Sequence, residues 1–189
     1  MKKTFTWAFS FLLVLLFIGT ASAQNPLFGK KKPLPSTRGK ASIKELGKEL
    51  YTALQSGNTD RLTIYLPSDA ELKDLKRNNA TTDEMKDIVS SVGADQLESN
   101  LHKEIDALKG QMAADSFRVN NSTLVSVTGT RPNSKNPNLT AVTVNLTDEK
   151  QRPYALTFEA LKIDKRVFLF RQFQVKKEMQ VANLLEEKP

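Results

Sequence analysis

Apolar residues recur at helical spacing from Ile43 to Met112 and at alternate positions from about Phe117 to Val175, so the period changes once, just after Asp115. In the first half, each helical stretch opens on a capping signal. Ser42-Ile43-Lys44-Glu45 is a capping box, in which serine and glutamate each satisfy a helix-start amide. The stripe Ile43, Leu46, Leu50, Leu54 then predicts a first helix, and Gly57 stops it. Thr59 and Asp60 start a short second helix through Leu62 and Leu66, which Pro67 ends. Ser68-Asp69-Ala70-Glu71 and Thr81-Thr82-Asp83-Glu84 are two further boxes, leading into Leu72 and Leu75 and into Met85, Ile88, Val89 and Val92. Gly93 breaks the run, and a longer helix carries Leu97, Leu101, Ile105, Leu108 and Met112 along one face.

After the change of period, segments 117–128, 139–146, 153–163 and 166–175 are rich in Val, Thr, Phe and Tyr and predict strands. A long exposed loop around 131–138, a turn at 148–152 and a two-residue turn at Asp164-Lys165 join them. Residues 176–187 read as a short C-terminal helix. Helices first and a meander afterwards is an α+β pattern: N-terminal helices (42–113) packed on a curved, cone-like C-terminal antiparallel sheet of about four strands (116–175), in one domain over 42–189.

The stretch Leu50-Tyr51-Thr52-Ala53-Leu54-Gln55-Ser56-Gly57-Asn58-Thr59-Asp60-Arg61-Leu62, followed by Tyr65-Leu66-Pro67, resembles the opening of nuclear transport factor 2-like (cystatin-like) domains. That resemblance covers most of residues 42–175. It implies a strongly twisted antiparallel sheet folded around the helices. Enzymes of that fold place a tyrosine and one or two acids in an apolar cone, and Tyr51, Tyr65, Tyr154, Glu159 and Asp60 are the residue types such a site would draw on. None of them maps onto a family motif residue by residue. The family's early strand pair falls between Ala70 and Val92, where the periodicity here is helical.

The N-terminus changes the expected setting. Lys2 and Lys3, an apolar run from Phe11 to Ile18, and Ala21-Ser22-Ala23 before Gln24 have the layout of a cleaved bacterial secretory signal over 1–23. The run falls short of the roughly twenty residues a membrane span needs. The expectation is an exported protein, periplasmic or extracellular, with no stable membrane anchor after cleavage. Residues 24–41 combine Pro26, Pro33 and Pro35 with Lys30, Lys31, Lys32, Arg38 and Lys40, and read as a flexible basic leader dispensable for folding. The formal charge of +7 is confined to these ends, since residues beyond Lys40 hold equal numbers of basic and acidic side chains. No basic face is left for nucleic acid. Without cysteine the domain is held by packing alone.

Candidate chemistry is sparse. His102 is the single histidine, with Glu98 and Asp106 four residues to either side, an arrangement that fits ordinary helix-flank charge pairs better than a catalytic base. No metal-ligand cluster, calcium loop, nucleophile elbow or phosphate-binding glycine loop occurs, so no metal or cofactor is expected. The sharpest candidate lies in the last hairpin. With Asp164-Lys165 as its turn, Phe158 falls opposite Arg171, Leu156 opposite Phe173 and Tyr154 opposite Val175. That puts Arg171 among apolar residues, where it needs a carboxylate or an anionic ligand. Arg171, Phe158 and Tyr154 are therefore the candidate ligand-binding residues. Leu161, Phe168 and Phe170 on the opposite face form a candidate dimer face. The function these features suggest is a non-catalytic exported module binding a small ligand or an envelope protein. The alternatives are a small proton-transfer or hydrolytic enzyme in an apolar cavity and a structural accessory domain.

Overall fold

The structure, a computed structural model, describes residues 38–130 and 136–177. All of the described residues belong to one compact unit within Ser36–Pro189. The signal segment, leader residues 24–37, the tip of the 131–138 loop and residues 178–187 of the expected C-terminal helix lie outside the described residues. Helices α1 (Ile43–Ser56), α2 (Asp69–Arg77), α3 (Asp83–Ser90) and α4 (Ala94–Ala114) precede strands β1 (Thr123–Thr130), β2 (Leu139–Thr147), β3 (Pro153–Ile163) and β4 (Arg166–Lys177). The strands form one antiparallel sheet in the order β1-β2-β3-β4, so the α+β class stands. Between Ala70 and Val92 the chain forms α2 and α3, joined by a loop over 78–82, and no strand pair; Lys176 and Lys177, expected in the terminal helix, extend β4.

The capping signals set most helix starts. Ser68 and Glu71 complete a reciprocal box on α2. At α1, Ser42 accepts the Glu45 amide, but the Glu45 carboxylate reaches back to the Ala41 N–H instead of that of Ser42. At α3 the cap is Thr82, which accepts the Met85 amide. Thr81 is buried instead, and its hydroxyl donates to the Leu75 carbonyl at 2.8 Å. The segment between Thr59 and Leu66 winds as a 3-10 turn, Asp60–Tyr65. All five stripe residues of α4 are buried. Helix α1 packs on β1, β2 and β4 while α4 packs on β4.

The β3–β4 ladder departs from the expected register. Ile163 pairs with Arg166 across a two-residue turn, and Asp164 holds φ of 53°, as the first central residue of a type II′ hairpin does. Pairing then runs as expected to Ala160↔Leu169, but Glu159 pairs with Arg171, leaving Phe170 as an extra residue. A second irregularity follows at Gln172, whose φ is 63°, and Thr157 pairs with Gln174 and Leu156 with Val175. The expected pairs Phe158–Arg171, Leu156–Phe173 and Tyr154–Val175 are therefore replaced, with Tyr154 now opposite Lys177. Each bulge inserts one residue and flips the following side chains to the other face. Two flips cancel, so Phe173 and Val175 still point inward, while Arg171, between the two irregularities, changes sides.

The expected dimer face is also corrected. Leu161, Phe168 and Phe170 are buried within the single chain, at 0%, 1% and 4% exposure, and have no surface to offer a second copy. Part of the cover is a strap that the leader reading missed. Lys40 pairs with Val167 through two 2.8 Å backbone hydrogen bonds, and the Gly39 N–H bonds to the Ile64 carbonyl. The Arg38 guanidinium donates to the carbonyls of Leu66 and Thr63, and Arg166 donates to Gly39. Gly39 holds φ of 68°, and a Cβ there would sit 2.7 Å from the Phe168 ring, so glycine is required twice over.

The Lys40 ammonium bonds Glu49 at 2.8 Å and lies 5.0 Å from the centre of the Tyr65 ring, while Arg61 bonds the other Glu49 oxygen. The Lys40 hydrogen bond holds the Glu49 carboxyl below its ordinary range against the cost of burial, with Tyr65 and Arg61 acting the same way. The ordered domain thus begins at Arg38 or before, not at Ser42.

A chain starting at Ala41 is expected to be less stable than one starting at Ser36 by about 2–4 kcal/mol in urea unfolding, because charged hydrogen bonds of the strap are lost. A depressed carboxyl contributes above its unfolded pKa and loses that contribution as pH falls through the folded value. The gap should therefore narrow below about pH 4. A difference under about 0.5 kcal/mol at neutral pH, within the range of ordinary surface changes, would contradict the strap.

Candidate functional site: a groove at the end of α4

How α4 ends creates a recess. The Phe117 N–H bonds to the Met112 carbonyl at 2.8 Å and the Ser116 N–H to the Ala113 carbonyl at 3.1 Å. These two bonds make a Schellman motif, which requires a left-handed residue at Ser116, and its φ is 53°. The motif sets Phe117 beside Met112, and both are buried. Phe117 also stacks on Tyr154, with ring centroids 4.2 Å apart. The following 3-10 turn, Val119–Asn121, is anchored to α1 because the Tyr51 hydroxyl donates to the Ser122 carbonyl at 2.6 Å.

Between the last turns of α4 and this connection runs a groove of about 580 Å³. Met112, Ala113, Phe117 and Val119 give it apolar walls; Lys109 and Arg118 bring two cations; Ser116 and Asn120 add polar groups. No carboxylate among the described residues lines it. Lys109 has a 3.4 Å contact with Asp106, both well exposed, which leaves its charge largely available. Behind the Phe117 ring, Tyr154 is fully buried and its hydroxyl has no hydrogen-bond partner among the described residues. Leaving such a group unpaired costs about 1–3 kcal/mol.

The three residues singled out from sequence do not converge. Tyr154 adjoins the groove through Phe117, while Phe158 stacks on Phe173 at 5.6 Å in the core. Arg171 leaves that face and bonds Glu159 through Nε at 2.7 Å, with its guanidinium 5.2 Å from the Phe170 ring centre. The carboxylate partner that Arg171 needs is therefore on the neighbouring strand. The residues of an acid-base reading are equally dispersed. Tyr51 is committed to Ser122, Tyr65 faces Lys40, Glu159 holds Arg171, and Asp60 and His102 are exposed. Among the described residues no group of acids or histidines is arranged to hold a metal. The sequence predicts a strand over 117–128, but Phe117, Arg118, Val119 and Asn120 line the groove ahead of β1, which starts at Thr123. The sequence marks the end of α4 with Asp115-Ser116 and no glycine, so the junction carried no recognisable stop.

No family model and no curated protein matches the chain. Among solved structures it is similar to a cystatin-like protein from Ruminococcus gnavus, at 8% identity and a TM-score of 0.43. The match covers 72% of this chain and 45% of that one, so the chain spans less than half of that protein's length.

Ser116→Gly is expected to raise stability by about 0.5–1 kcal/mol in chemical denaturation, because glycine takes the left-handed conformation without the steric cost. A loss of stability on that substitution would show that the serine side chain, and not the backbone, holds the junction.

Proposed function

We propose that the protein is an exported, non-catalytic binding module of the bacterial envelope, holding a small ligand in the groove at the end of α4. The observation that carries this reading is the lining of that groove: apolar walls with two cations at their edge and no acid, base or nucleophile poised for chemistry. Export is supported by the Ala21-Ser22-Ala23 ending of the N-terminal segment. Among the described residues no helix is long and apolar enough to cross a membrane. The enzyme reading has no constellation behind it, because the tyrosines and acids it needs are held apart in separate contacts.

Native mass spectrometry of the protein recovered from the envelope of its own organism tests both parts. The expected result is a chain beginning at Gln24 that carries one small-molecule mass, lost in an Ala113→Trp variant whose exposed indole fills the groove. A chain retaining Met1 would overturn export. Absence of any bound mass, or its retention in Ala113→Trp, would overturn the groove as the binding site.

A further inference from the structure

We infer that the groove takes an amphipathic carboxylate, its head held by Arg118 and Lys109 and its apolar body laid along Ala113 and Val119, over the nearly buried Phe117 and Met112. The inference rests on the groove being the binding site and adds the chemical class of its occupant. Charge decides the head group. Both ionised side chains in the lining are cations. The carboxyl end of α4 opposes an anion with the equivalent of about half a negative charge. Two full positive charges outweigh it, and the Schellman bonds already occupy the carbonyls of Met112 and Ala113.

Arg118 is exposed and presents a planar fork that matches a carboxylate through two parallel hydrogen bonds. Among the described residues, the side chain of Lys109, on the α4 side of the groove, makes only its long contacts to Asp106 and Thr59, at 3.4 and 3.5 Å. A ligand carboxylate would compete with these on favourable terms. The apolar half follows from the walls. Phe117, 3% exposed and fixed in place by its stack on Tyr154, gives the groove a preformed floor at little entropic cost, and the exposed Ala113 and half-buried Val119 give it accessible apolar surface. The volume lies within the roughly 300–1,000 Å³ typical of small-molecule sites.

The probes are decanoate below its micelle concentration, decanol and acetate, each titrated into the chain from Gln24 by calorimetry and by amide NMR. Decanoate is expected to shift the amides of Ser116, Phe117 and Arg118. Arg118→Ala, at an exposed position, should weaken it about tenfold or more, the loss of one charge-assisted hydrogen-bonded pair. Decanol and acetate should each bind far more weakly. Decanol binding as tightly as decanoate, or an unchanged decanoate affinity in Arg118→Ala, would overturn the carboxylate assignment while leaving a ligand groove in place. If neither decanoate nor decanol moves the groove amides, the inference fails; if Ala113→Trp also keeps the native bound mass, the groove reading fails with it.

Discussion

The two-residue slip of the β3–β4 ladder is the constraint from which the positions of the other parts follow. It carries Arg171 across the sheet to Glu159 and, because its two flips cancel, leaves the amides of Phe173 and Val175 facing outward at the sheet edge. Those amides would otherwise be open to another strand. Glu104 accepts from Phe173 at 3.0 Å and Gln111 from Val175 at 3.2 Å. The two acceptors are seven residues apart on α4, two helical turns along one face, so the helix lies against the edge as a strand would. This contact, with the buried stripe from Leu97 to Met112, fixes where α4 ends and hence where its groove opens.

The same edge is closed at its other end by the Arg38–Lys40 strap, so β4 is protected at both ends by different means. The opposite edge, β1, carries a bulge between Leu124 and Ser126 that leaves Val125 exposed and interrupts the ladder. A bulged edge resists pairing with a second chain. With Leu161, Phe168 and Phe170 enclosed, the candidate binding surface is the helix-to-strand junction rather than the sheet.

What the sequence disclosed depended on whether a local residue type had to signal the local geometry. Helix starts at Ser42 and Ser68 were readable because a hydroxyl at the cap has a specific job, whereas at α3 two adjacent threonines offer that hydroxyl and the cap falls on Thr82 rather than Thr81; the stripe of α4 was readable because all five of its residues are core. The end of α4 was not, because Ser116 occupies a conformation normally advertised by glycine. The register was hidden for a subtler reason. Val167, Leu169, Phe173 and Val175 keep perfect alternation across two bulges whose flips cancel, so the pattern is the same with or without the slip. Arg171 was the one residue that broke the alternation, and it did so because it sits between the bulges, where side chains face the other way. The strap escaped notice because its contacts are mostly backbone and long-range, which composition does not report.

The register itself offers the most direct test. Val175 directs its amide away from β3 toward Gln111, so Leu156 and Val175 form a non-hydrogen-bonded pair, with Cα atoms about 4.5 Å apart and α-protons in close contact. A strong nuclear Overhauser effect between the α-protons of Leu156 and Val175 is the predicted result. An effect between Leu156 and Phe173 in its place would restore the unbulged hairpin, put Arg171 back opposite Phe158, and contradict the account.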